Sequence, residues 1–318
     1  MNQRRVMITG AGGFVGGALA LGFADLGWRV IGLDRAFDSG RAFDAEREDH
    51  GIHRVTAELA QGVPADISDV DLVVHAAWVT TEAGTVAITP AEHVALNLRP
   101  LLALLEFTAR TRPAAFVFLS SSGVFAPGDV AEGLTDADHP TGASPYAAAK
   151  RAGEVLVPAA LHSVASGSAT PNRSVAVHVV RLGYLFGPGE VARPSRTSVS
   201  LVGRWLTAAR GGQPLAVRSD DPTRDWTFAP DLAAALEKVV DGGSAGHTVH
   251  LGSPHVYTDS ALATLIARQF PGTETVTVPA ASPVKPPMVP SDIPALRGFH
   301  WTDPAAGLQA LLAGEVVM

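Results

Sequence analysis

The chain has 318 residues, 47% of them hydrophobic and 17% charged, a balance that supports an ample core and excludes an intrinsically disordered polymer. A formal charge of −7 excludes the basic footprint of a nucleic-acid binder, and the absence of cysteine excludes disulfides, thiolate nucleophiles and cysteine-ligated metals. The eleven histidines show no HxxxH or HxH spacing, so no metal site is expected, and no apolar run approaches the roughly 18 residues of a membrane span.

Taken in order, the chain begins with a basic but barely apolar N-terminus, which reads as a strand over Arg4 to Thr9 and not as a signal peptide; a cytoplasmic location is expected. The strand runs into Gly10-Ala-Gly-Gly-Phe-Val-Gly16 and then into an apolar helix that ends near Gly27. A strand, a glycine turn and a helix in one β-α-β unit form a cradle for a pyrophosphate, with the helix N-terminus facing it, so Gly10, Gly13, Phe14, Val15 and Gly16 are expected to bind a dinucleotide there. The next strand, Arg29 to Leu33, ends in Asp34. An acid at that point accepts the adenosine ribose hydroxyls and repels a 2′-phosphate, which favours NAD; Arg35 beside it would tolerate the phosphate and keeps NADP open.

A third strand is predicted at Arg54 to Thr56, with Glu58 and Leu59 at the adenine edge. A fourth, Asp71 to Ala77, ends in Ala76 and Ala77, small enough for the cofactor to pass close to the backbone, while His75 reads as a core residue. Helical periodicity covers Ala91 to Arg110 and contains Asn97, a poor helix residue unless its hydrogen bonds are needed; it is assigned to the cofactor site. The fifth strand, Ala115 to Leu119, leads into Ser120-Ser121-Ser122, hydroxyls at the carboxyl end of a central strand where open α/β sheets bind ligands. A long polar loop, 126–145, follows.

Ser144 and Pro145 then start a helix, placing Tyr146 and Lys150 four apart on one face. With only three tyrosines and three lysines in the chain, chance is a poor explanation of the pair. A cation beside a phenol favours the phenolate, and a phenol poised that way exchanges a proton near neutral pH.

Thr9 to Gly16, Asp71 to Ala77, the triple serine before Val124-Phe125, and Tyr146-Ala-Ala-Ala-Lys150 together resemble the extended short-chain dehydrogenase/reductase superfamily, in the group of NAD-dependent epimerases, dehydratases and uronate dehydrogenases. The resemblance spans about the first 240 residues. It implies an α/β fold with a doubly wound parallel sheet (Rossmann fold) and a smaller C-terminal substrate-binding region. The expected division is a cofactor domain over 1–187 with a return segment near 225–252, and a substrate region over 188–224 and 253–318. It also implies that Ser121 is the catalytic serine, with Ser122 a substrate contact, and that Tyr146 and Lys150 complete the catalytic group while touching the nicotinamide side of NAD. Pairing of two long helices into a homodimer is implied as well.

Past a polar insertion, 163–174, a sixth strand ends at Arg181, and Leu182 to Gly189 resembles the family segment that crosses the nicotinamide. Tyr184 stands where nucleotide-sugar members carry asparagine. Arg193 and Arg196, in a polar loop, read either as anion clamps or as solvated charges. Arg224 lies in a box resembling the family's Arg-Asp-aromatic motif, where the arginine meets a diphosphate in nucleotide-sugar members; the alternative is a salt bridge between segments. Tyr184, Arg193, Arg196 and Arg224 are therefore the expected substrate contacts, with Ser122. Ser122-Gly123 replaces the Asp-Glu pair of the dehydratases, which disfavours dehydration.

The expected activity is NAD-dependent hydride transfer to or from a secondary alcohol or ketone of a sugar, sugar acid or polyol. An epimerase with retained NAD is the alternative, and a non-catalytic NAD-binding scaffold the reading from another class.

Overall fold

The computed structural model describes residues 3–37, 51–81, 88–127, 133–162, 174–243 and 245–314. Strand β1 (Arg5–Thr9) runs through the glycine turn into α1 (Phe14–Asp25) and returns as β2 (Arg29–Asp34). Strands β3 (Ile52–Thr56) and β4 (Leu72–His75) follow, then α2 (Pro90–Thr111). Thr89 and Glu92 form a reciprocal capping box at the start of α2, and Pro90 sits where its missing N–H is harmless. Next come β5 (Ala115–Ser121), α3 (Pro145–His162) and β6 (Ala176–Leu182). Ser144 Oγ accepts from the Ala147 N–H at 3.1 Å, the cap expected for α3. The helix α5 (Leu232–Asp241) leads to β10 (Thr248–Leu251), which closes the sheet beside β6.

These strands make one sheet of seven, in the order β10-β6-β5-β4-β1-β2-β3, every pair parallel. Both faces are covered, so the strands are apolar throughout and lack alternation. One core holds Phe23, Val117 and Leu236 under α1 and α5; the other holds Leu101, Phe107, Phe116 and Val157 under α2 and α3. The strand order reverses between β1 and β4, which opens a crevice at their carboxyl ends.

A second sheet, β11-β9-β7, joins β7 (Tyr184–Phe186), β9 (Thr223–Phe228) and β11 (Val256–Thr258). With the parallel pair β8 (Leu215–Arg218) and β12 (Thr275–Val278) and the helices α4 (Leu201–Arg210), α6 (Asp259–Ala267) and α7 (Pro304–Ala313), it surrounds a third core containing Trp205, Trp226, Phe186 and Ile266. Two sequence expectations shift here. β3 begins two residues before Arg54, and the Arg224 box is a strand before it becomes a helix. Three-residue strands such as β7 carry no pattern of their own; pairing with β9 creates them. The expected insertion at 163–174 falls outside the described residues except for residue 174, as do positions 128–132 of the polar loop.

Candidate active site

The crevice floor is made where β1 and β4 end. Gly10 has φ +73°, and a Cβ there would stand 2.6 Å from the Ala77 Cα, so only glycine lets the two chain segments meet. The first turn of α1 has no side-chain cap and no acidic residue, which leaves its amides and partial positive charge to an anion. Phe14 is buried and Val15 packs against the same core. Asp34 accepts from the Gly12 N–H at 3.0 Å and from the Ala36 N–H at 3.3 Å. Burial pushes its carboxyl up, while the bonds from Ala36, Gly12 and Arg35 and the charge of Arg193 act against that rise.

Three further expected cofactor contacts have partners within the protein. Glu58 caps the short turn Leu59–Gln61 through the Ala60 N–H, and Leu59 is buried in the core beneath α2. Asn97 accepts from the Val79 N–H at 2.7 Å and donates to Val79 O and His93 O at 3.2 and 3.0 Å. Its amide thus braces the chain leaving β4, which explains a buried asparagine in mid-helix.

Ser121, Tyr146 and Lys150 come together across β5 and α3. The Ser121 and Tyr146 hydroxyls share a hydrogen bond, and Ser121 Oγ also accepts from the Gly123 N–H at 3.0 Å. A Cβ on Gly123 would lie 2.9 Å from the Tyr146 ring, so this position makes room for the phenol. Burial pushes the phenol up, opposed by the Ser121 hydrogen bond and the charge of Arg196. Lys150 donates to Leu119 O at 2.6 Å and lies 3.7 Å from the centroid of Trp78. Burial pushes its ammonium down to about 7, against the favourable charge of Glu154. The neighbouring cation expected to lower the phenol is therefore directed at Leu119 and Trp78, and Arg196 supplies the charge felt by Tyr146. Behind this group Glu154 accepts from Ser120 Oγ at 2.6 Å and from Arg181 Nε and Nη2, both at 2.8 Å, a paired buried network that fixes α3 on β5 and β6.

The substrate-side residues divide. Ser122 is 3% exposed inside the turn after β5. Arg224 is 7% exposed and forms a bidentate pair with Asp259 at 2.6 and 2.9 Å. It stacks against Tyr184 at 4.7 Å, and Lys285 donates to the Tyr184 hydroxyl at 3.3 Å. The loop of Arg193 and Arg196 packs on the segment after β4. Ser195 O accepts from the Thr80 N–H at 2.8 Å and Pro194 O from the Thr81 hydroxyl at 2.9 Å, Arg196 lies over the Phe14 ring and pairs with Glu190, and the charge of Arg193 reaches Asp34. The loop therefore runs as a strap from Asp34 toward Tyr146.

The model of the NAD dependent epimerase/dehydratase family matches residues 6–252, from β1 to the end of β10. The chain belongs to that family. Among characterised members of this epimerase/dehydratase family, it is 28% identical over 283 residues to a dTDP-glucose 4,6-dehydratase of Streptomyces niveus, covering 83% of this chain and 77% of that one. It is 30% identical over 241 residues to UDP-glucuronate 4-epimerase 1 of Arabidopsis thaliana, covering 71% of this chain and 52% of the plant protein. The fold is similar to that of a solved epimerase from Methanothermobacter thermautotrophicus, with TM-score 0.78, 23% identity and coverage of 99% and 94% of the two chains.

As a family member the chain is an NAD-dependent enzyme of the extended short-chain dehydrogenase type, and its crevice fits the cofactor. The open amides of α1 suit a pyrophosphate, and the Asp34 carboxylate is anchored at the end of β2 beside the glycine turn. Among the described residues no cluster of three His, Asp or Glu is placed to hold a metal, and no helix is long and apolar enough to cross a membrane. Trp78, Glu154 and Lys285 escaped the sequence reading. Trp78 had one signal, a large ring directly after two alanines, and Lys285 another, as one of three lysines in the chain.

Proposed function

We propose that the protein is an NAD-dependent oxidoreductase acting on a secondary alcohol or ketone of a free sugar, sugar acid or polyol. The convergence of Ser121, Tyr146 and Lys150 at the carboxyl end of β5 carries the redox reading. Bound NAD supplies the hydride acceptor, or as NADH the donor. Ser121 holds the substrate oxygen, Tyr146 takes or returns its proton, and Lys150 contributes positive charge at the nicotinamide ribose. The Arg224 pair with Asp259 carries the substrate class. A guanidinium already held by both carboxylate oxygens is a poor ligand for a diphosphate, which supports a substrate without a nucleotide. Gly123, packed against Tyr146, leaves no side chain to expel water from an oxidised sugar and speaks against dehydration.

One observation favours a second reading, an epimerase that keeps its NAD: the strap at 193–196 lies across the cofactor crevice and opposes exchange. Absorbance at 340 nm with NAD and a panel of aldoses, uronic acids and nucleotide sugars separates the two. Accumulating NADH is the expected result; turnover without NADH, with cofactor retained through purification, selects the epimerase. A thermal shift with UDP, GDP or dTDP would overturn the nucleotide-free substrate, since a ligand at 100 times its Kd adds about 2.7 kcal/mol.

The region over 188–224 and 253–318 is assigned to substrate, and 1–187 with the return segment near 225–252 to the cofactor. A homodimer through α2 and α3 is part of the same proposal, supported by Leu96, Leu102 and Val155, which stand 44%, 48% and 70% exposed on those helices.

A further inference from the structure

Trp78 lies where the chain leaves β4, beyond the two alanines that floor the crevice. Its neighbour Val79 is gripped through both its N–H and its carbonyl by the Asn97 side chain of α2, so the backbone beside the indole is held in place. The ring stands edge-on to Phe118 at 5.7 Å and to His75 at 6.1 Å. Its Nε1 is buried with no hydrogen-bond partner among the described residues, so the ring is kept in this position at the expense of an unsatisfied donor. What faces the indole is the Lys150 ammonium, 3.7 Å from the ring centroid, with Phe118 at 5.2 Å and Leu119 O accepting at 2.6 Å.

We propose that Trp78 is the positioning residue of Lys150: its π face holds the ammonium charged and fixed at Leu119 O, with Asn97 as the clamp that fixes the indole. The physical basis is the negative face of the indole, which attracts a cation most strongly when water is excluded. Lys150 is 5% exposed, so water gives its charge little support. The charged and titratable groups around it are Glu154 and Tyr146 on α3 and His75 on β4, the last held neutral by burial and by Lys150 itself. Glu154 is shared with Ser120 and Arg181, which divides its charge, and the indole supplies the balance. The assignment rests on Lys150 being part of the catalytic group.

The test uses the intact protein labelled with 13C at lysine Cε, where the three lysines give three correlations and Lys150→Met identifies one of them. In the wild type the Lys150 signal is expected upfield, from the ring current of Trp78, and to titrate near pH 7. In Trp78→Leu the upfield shift is lost and the midpoint falls by about one pH unit, because the ring no longer favours the ammonium. Trp78→Phe, which keeps a π face, restores most of both and shows that bulk alone is not the cause. NAD affinity follows, weakening in Trp78→Leu mainly between pH 6 and 8. An unshifted Lys150 signal, or the same midpoint in wild type and Trp78→Leu, overturns the proposal. If instead Tyr146→Phe keeps its turnover, the catalytic reading fails while the lysine titration still decides the role of Trp78.

Discussion

Tyr146 is half-buried against Gly123 and hydrogen-bonded to Ser121, so its hydroxyl is oriented before any substrate arrives. Tyr146→Phe is expected to keep the fold and NAD binding and to lower turnover by about 10² to 10⁴, the range for a lost acid or base. Gly123→Ala puts a methyl against the same ring and should lower turnover with little change in melting temperature. Steady-state rates beside thermal melts check both. Asp225 makes a different prediction. It is 2% exposed, one oxygen accepts from the Met288 N–H at 3.1 Å, the other has no hydrogen-bond partner among the described residues, and burial pushes its carboxyl up to about 6. A raised carboxyl favours the fold while protonated; that contribution is complete below about 3.8 and fades as pH rises through about 6. At pH 7.5 the ionised form costs the fold about 3 kcal/mol. Asp225→Asn removes this titration, so its melting temperature relative to wild type should be highest above pH 6.5 and decline toward pH 4. A difference that is flat from pH 4 to 8 would sink the assignment.

At the scale of elements, the strap at 193–196 is tied to the segment after β4 by Thr80 and Thr81 and to the start of α4 by Glu190, which pairs with Arg196 and accepts from the Ser200 N–H and hydroxyl. Arg196→Ala removes both the contact with Phe14 and a positive charge felt by Tyr146. NAD release, followed by stopped-flow fluorescence, should become about tenfold faster, equivalent to roughly 1.4 kcal/mol of lost holding energy. An unchanged release rate means the strap does not hold the cofactor. The sequence offered the two arginines as anion clamps or solvated charges, but not the groups they meet. Their place depends on backbone bonds to Thr80 and Thr81, more than a hundred residues earlier in the chain.

Across the whole molecule, three apolar side chains on α2 and α3 are left in water while the opposite faces of those helices are buried in the core. Leu102→Glu with Val155→Glu should therefore turn a dimer into a monomer in sedimentation, with the NAD site intact. A monomeric wild type, or a dimer that survives both charges, removes α2 and α3 as the interface.

Strands β1 to β6, the glycine turn and the helix starts were legible in the sequence, because apolar runs, glycine turns and caps are local signals read within a dozen residues; the seventh strand, β10, and the strand order that opens the crevice come from pairing across the sheet. Equally legible were the α3 start at Ser144 and Pro145 and the spacing of Tyr146 and Lys150, fixed by the pitch of one helix. Tertiary structure alone decided what each charged side chain meets. Arg224 finds Asp259 across 35 positions, Asn97 turns to Val79, and Lys150 turns to Leu119 and Trp78. A long polar side chain reaches several ångströms in any direction, and its partner is whichever group the packing of distant segments brings into a buried space where an unpaired charge is costly.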